Sequence, residues 1–197
     1  MYFKGGHNMN KLDNPELVSA IDEYALFARG IILGNHNNKE LFDLVEENGI
    51  ELFGIWDDKY DGICIWNEET NKPQIYLNME QSEERRLFTL AHELGHLFID
   101  YKWMPNKKLE NKNNKNVLSI KFRDKDKLSD TTDMRERVVN QFAGTFLMPK
   151  EEVEKVISDC GSSDDPESMI LAVKKHFGVT YKAATNRLIM LERLYAK

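Results

Sequence analysis

Thr89-Leu90-Ala91-His92-Glu93-Leu94-Gly95-His96 is the stretch on which the reading of this 197-residue chain turns. It lies in a run whose apolar residues, Leu87, Leu90, Ala91, Leu94, Leu97 and Phe98, recur at helical spacing. Ser82 stands where an N-cap would open that helix, which is expected to run to about Tyr101. Residues four apart share one helix face, with Cβ atoms about 5 to 6 Å apart. From that separation two imidazoles, those of His92 and His96, can converge on one ion at bonds of about 2.0–2.1 Å. Glu93 is offset by one residue, beside such an ion rather than on it, where it can take a proton from a metal-activated water. Gly95 costs a helix about 1 kcal/mol relative to alanine. Its missing side chain makes room for substrate or for a facing helix.

A catalytic zinc site needs a third protein ligand and keeps one position open. His7, His36 and His176 stand in a leader, an Asn-rich turn and the far C-terminal part, and read as solvated or core-edge histidines. The acids that follow the motif are better candidates: Asp100, Asp130, Asp133 and Glu136. Asp100 continues the stripe of His92 and His96 and suits an acceptor that orients His96 from behind. Glu136 lies on the next expected helix, about 130 to 148, which Pro149 ends. It is preferred as third ligand because a second helix packed on the first can project it at the same ion. Zinc, one per chain, suits two imidazoles and a carboxylate.

Working outward, Asn14-Pro15 reads as N-cap and first helical residue of a helix to about Arg29, and a second helix runs from about Lys39 to Asn48 before Gly49. Glu51 to Trp56, Ile63 to Trp66 and Gln74 to Asn78 read as short strands of a small antiparallel sheet. Trp56 and Trp66 are expected to be buried at that sheet. Residues 102–127 carry eight lysines and one arginine against three acids, and read as a solvated loop or a basic lip beside the site. Three short helices follow, about 150 to 159, 167 to 177 and 181 to 195.

The fold class expected is therefore α+β: N-terminal helices, the sheet, two ligand-bearing helices and a helical C-terminal subdomain. Residues 1–12 read as a flexible leader, 13–149 as a catalytic core and 150–197 as the helical subdomain. His176-Phe177-Gly178-Val179-Thr180-Tyr181 is like the turn of a helix-turn-helix. With Lys182 and Arg187 the only basic residues in its second helix before Arg193, and a net charge of -6 overall, packing on the core is expected rather than DNA binding. Cys64 and Cys160 read as reduced thiols of a cytoplasmic protein, and no stretch reaches the length of a membrane span.

Residues 85–96, Arg85-Arg86-Leu87-Phe88 followed by the quoted stretch, resemble the ImmA/IrrE family of bacterial and phage metallopeptidases. So do Glu136-Arg137-Val138-Val139-Asn140-Gln141-Phe142-Ala143 and Phe146-Leu147-Met148-Pro149. The resemblance spans roughly residues 40 to 150 and implies a zincin core. The family's third zinc ligand, a glutamate four residues before an asparagine, falls on Glu136, with Asn140 as that asparagine. Val139 stands where the family usually has alanine. The resemblance further implies proteolysis of a helix-turn-helix repressor or a role in a toxin–antitoxin pair. Glu93 is the expected general base, and Tyr101, Tyr60 and Tyr76 are candidate donors to the oxyanion, among which no sequence argument selects. The competing expectation is a binding module that sequesters a repressor or antitoxin without turnover.

Overall fold

A computed structural model describes residues 12, 14–107, 117–122, 130–161 and 165–194. The Asn14 side chain caps helix α1 (Pro15–Ile32) by accepting from the amides of Glu16 and Leu17 at 3.0 and 3.2 Å. The helix buries Ile21, Ala25, Ala28 and Ile32, one apolar stripe at helical spacing. A 3₁₀ turn (Asn38–Glu40) leads into α2 (Leu41–Glu47), and Gly49, at φ 90°, lets the chain turn into the sheet.

The sheet departs from the expected antiparallel one. Its strands are β1 (Glu51–Ile55), β2 (Tyr60–Asn67), β3 (Lys72–Asn78) and β4 (Val117–Phe122), in the order β1-β3-β2-β4. β2 is antiparallel to β3 and β4, but β1 runs parallel to β3. The β1–β2 connection does not close a hairpin, because β3 inserts between the two strands. Asn78, buried at the end of β3, holds this crossing together: its side-chain amide donates to the carbonyls of Asp57 and Tyr60. β2 starts at Tyr60, three residues before the strand expected from Ile63, because Tyr60 and Gly62 pair with β4. β4 lies inside the stretch expected to be loop; residues 108–116 and 123–127 of that stretch, and the leader 1–11, lie outside the described residues.

One face of the sheet, bearing Cys64, Trp66, Ile75 and Leu77, is buried against α3 (Glu83–Gly95). Trp66 is buried as expected, whereas Trp56 is 75% exposed, because it lies just past β1, on an edge strand. Ser82 caps α3 as its position suggests, accepting from the Arg85 amide at 3.4 Å. The helix does not run on to Tyr101 as an α-helix. It widens into a π-helical turn (His96–Asp100) and stops, with the Trp103 amide donating to Leu97 C=O at 3.0 Å.

α4 (Asp130–Leu147) packs on α3 and on α1. The approach is close at Gly95, where a Cβ would stand 2.8 Å from Val139 Cγ1 and 3.0 Å from Phe142 Cδ1. The sequence left two uses open for Gly95, substrate or a facing helix, and the structure selects the helix. α5 (Lys150–Asp159), α6 (Pro166–Phe177) and α7 (Tyr181–Met190) complete the fold. Gly178, at φ 66°, ends α6, and Thr180 caps α7. α7 ends before the expected Tyr195, with Glu192 at φ 59°. Arg187 does not face solvent: it is buried, and its Nε donates to Met148 C=O at 2.9 Å. Asn38 joins the same region by donating to Leu147 C=O at 2.8 Å and Phe177 C=O at 3.0 Å. No helix among the described residues is long and apolar enough to cross a membrane.

Candidate metal centre

His92 and His96 project from α3 and its π-helical continuation toward α4, where Glu136 faces them. Glu136 Oε2 lies 3.2 Å from His92 Nε2, and Oε1 lies 3.3 Å from His96 Nε2. One donor atom from each of the three residues falls within 4.8 Å of the others. Ligands held tetrahedrally at about 2.0–2.1 Å from zinc stand about 3.4 Å apart. The two carboxylate–imidazole separations are of that size, each to a different Glu136 oxygen, and two imidazoles with a carboxylate are a donor set that suits the ion.

The far ring nitrogens explain why the Nε2 atoms converge. His92 Nδ1 donates to Asn140 Oδ1 at 3.0 Å, and His96 Nδ1 to Asp100 Oδ2 at 2.7 Å. Such partners fix ring orientation and tautomer, presenting the opposite nitrogen to the metal. The π-helical turn places Asp100 for this contact. Asp100 Oδ2 also accepts from Arg135 Nε at 2.7 Å, and the guanidinium is hydrogen-bonded to Tyr101 as well. Arg135 escaped the sequence analysis, although a cation immediately before a candidate ligand, facing an acid on the partner helix, was the available signal.

The site is buried and strongly polarised. Burial alone would lower the His96 pKa, but hydrogen bonds to Asp100 and Glu136, with Glu93 nearby, raise it to about 9. Burial would raise that of Glu136, yet hydrogen bonds to the two histidines hold its carboxyl well below the usual carboxylate range. Asp100 is opposed by burial too, and is held low by His96 and Arg135.

Glu93 is fully buried beside this cluster, against strand β2. Gly62 makes that possible: a Cβ there would lie 2.6 Å from Thr89 Cγ2 and 3.2 Å from Glu93 Oε1. Gly62 was also missed, its signal being a glycine inside a strand. A brace at the strand's start keeps it in place. Asp61 accepts from Gln81 Nε2 at 2.5 Å and from Arg85 Nη2 at 2.9 Å, joining β2 to the start of α3. Behind Glu93, burial and the glutamate charge push the Cys64 thiol pKa well up, so this cysteine is an inert wall.

The remaining candidates lie elsewhere. His36 pairs with Glu40 at the surface, and His176 is exposed near the end of α6. Tyr76 is on the sheet's opposite face, stacked on Phe53 and donating to Gln74 Oε1. Tyr60 opens β2. His7 and the side chains of Asp130 and Asp133 lie outside the described residues.

No curated protein matches the chain significantly. Residues 45–189 match the family model of the IrrE N-terminal-like domain of the M78 peptidases. With most of its length matched and the His92, His96 and Glu136 cluster in place, the chain belongs to the IrrE-like peptidase family.

Proposed function

We propose that this protein is a zinc-dependent endopeptidase that cuts a regulatory protein, a helix-turn-helix repressor or an antitoxin. The observation that carries the chemistry is the convergence of His92, His96 and Glu136 with a buried carboxylate, Glu93, beside them. Family membership supports a protein substrate, and the choice of repressor or antitoxin follows from the resemblance of the motifs.

In this reading His92, His96 and Glu136 would hold the ion, with Asn140 and Asp100 orienting the two imidazoles. Zinc, when bound there, supplies Lewis-acid polarisation of a carbonyl and shifts the pKa of water toward about 7. Glu93 accepts the proton of the attacking water and delivers it to the leaving amine. The missing side chain of Gly62 leaves the room that the Glu93 carboxylate occupies against β2. Tyr101, hydrogen-bonded to Arg135, is the proposed donor to the oxyanion.

The test has two parts. Elemental analysis is expected to find about one zinc per chain, lost or weakened in His92→Ala and Glu136→Ala. The zinc-loaded protein is then incubated with the helix-turn-helix protein encoded beside it. Fragments from wild type and none from Glu93→Gln, which keeps its zinc, are expected. A stable complex with no fragments in either case would favour a sequestering module instead.

A further inference from the structure

We infer that the β1 edge of the sheet is a docking site for an extended, basic and apolar strand of a partner protein. The inference does not depend on turnover, since β1 and the β4 edge lie at opposite ends of the strand order, and Glu93 lies against β2.

β1 pairs only with β3 among the described residues. The Met79 amide donates to Ile55 C=O at 2.8 Å, so the backbone groups of Ile55, and of Phe53 and Glu51 by alternation, face β3. Those of Leu52 and Gly54, and the Trp56 N–H opposite Ile55 C=O across the same peptide, therefore point away from the sheet, a row of donors and acceptors spaced for another strand.

Edge strands are commonly guarded by lysine, proline or a bulge. Glu51-Leu52-Phe53-Gly54-Ile55-Trp56 has none of these guards along its pairing with β3. Three apolar side chains on and beside it are open: Phe53 is 41% exposed, Trp56 75% and the neighbouring Met79 39%. Strand addition uses such an edge for main-chain bonding and takes its specificity from alternate side chains.

Charge selects the occupant. Residues 46–58 contain Glu46, Glu47, Glu51, Asp57 and Asp58 and no lysine or arginine. Glu80, next to Met79, adds another exposed acid. A second copy paired edge to edge would set acid against acid, whereas a strand alternating basic and apolar residues meets both the charge and the exposed rings.

The experiment titrates the zinc-loaded, ¹⁵N-labelled full chain with a capped eight-residue peptide alternating lysine and valine. A matched peptide alternating glutamate and valine is the control. The expected result is amide shifts centred on Leu52, Gly54 and Trp56 with the basic peptide, and binding at least about tenfold weaker with the acidic one. Gly54→Pro, which removes an outward-facing N–H, is expected to abolish these shifts. Trp56→Lys leaves the backbone intact and is expected to weaken binding about tenfold or more. Absence of binding, equal binding of the two peptides, or shifts confined to the surroundings of His92 and Glu136 would overturn the inference. Dimerisation through β1 in sedimentation without peptide would overturn it as well.

Discussion

Arg135 and Asp100 meet beside the metal cluster, with Arg135 Nη2 2.6 Å from the Asp100 oxygen that also accepts the hydrogen bond of His96 Nδ1–H. Arg135 immediately precedes Glu136 on α4, and Asp100 ends the π-helical turn after α3. The pair thus ties together the two segments that carry the three metal-binding side chains, at a point outside the cluster itself. Removing the Asp100 carboxylate frees the His96 ring to rotate. Asp100→Ala is expected to weaken zinc binding about 10- to 100-fold in a chelator competition. Arg135→Met is expected to weaken it less, because the His96–Asp100 bond survives. Unchanged affinity in both would show that the pair does not position the ligands.

Gly95 yields a prediction opposite in sign to helix propensity. Alanine would favour the helix by about 1 kcal/mol, but its Cβ would meet Val139 and Phe142 of α4 at 2.8 and 3.0 Å. Overpacking of this kind costs about 1–3 kcal/mol. Gly95→Ala is therefore expected to lower the melting temperature, and Gly95→Ala with Val139→Ala to recover part of the loss. A more stable single variant would mean that α4 moves aside easily.

Gly62 tests the placement of Glu93. A methyl group there presses on Thr89 and on the carboxylate of Glu93. Gly62→Ala is expected to keep its zinc and to lose about ten- to a hundredfold in kcat, the scale of a small misplacement of a reacting group. Adding Thr89→Ser, which removes the nearest methyl, is expected to restore part of the rate. Loss of zinc in Gly62→Ala would show that the whole site, rather than Glu93 alone, had been disturbed.

The pH dependence of the metal-free protein follows from two shifts of opposite sign. His96 is raised from 6.5 to about 9, so its stabilising contribution is complete below 6.5 and is lost as pH rises through about 9. Glu136 is lowered from 4.5, so its contribution is complete above 4.5 and is lost as pH falls through its depressed value. Chelator-treated protein is expected to be most stable between about pH 4.5 and 6.5. Zinc needs the His96 ring neutral, so binding releases a proton and tightens as pH rises. The rise in melting temperature on adding zinc is thus expected to be larger at pH 8 than at pH 6. A metal-free melting temperature that stays flat from pH 6 to 9 would contradict this assignment.

The metal-binding cluster was legible because its parts are local. His92 and His96 are one helical turn apart, and that spacing alone puts both rings on one face. Ser82, Asn14 and Thr180 were readable as caps for the same reason, since each bonds amides two or three residues away. Glu136 needed one step more, the assumption that a second apolar helix packs on the first.

Strand pairing was not legible. Nothing in the pattern of Glu51 to Asn78 reveals that β3 inserts between β1 and β2, because alternation reports which face is buried and not which neighbour is paired. β4 was hidden in a lysine- and asparagine-rich stretch, where composition argued for loop while the ladder to β2 provided the partner. Trp56 was expected inside since aromatic residues are usually buried, yet its place beyond β1 leaves it in solvent.

The sequence by itself determined most of the helices and the residues that share a face on one of them: helical spacing, caps and the His92-Glu93-His96 constellation depend on neighbours within one turn. Only the tertiary structure decided which distant groups meet. Arg135 on Asp100, Gly62 under Glu93, Gly95 against Val139 and the exposure of the β1 edge are set by how helices and strands pack, a geometry that no local spacing encodes.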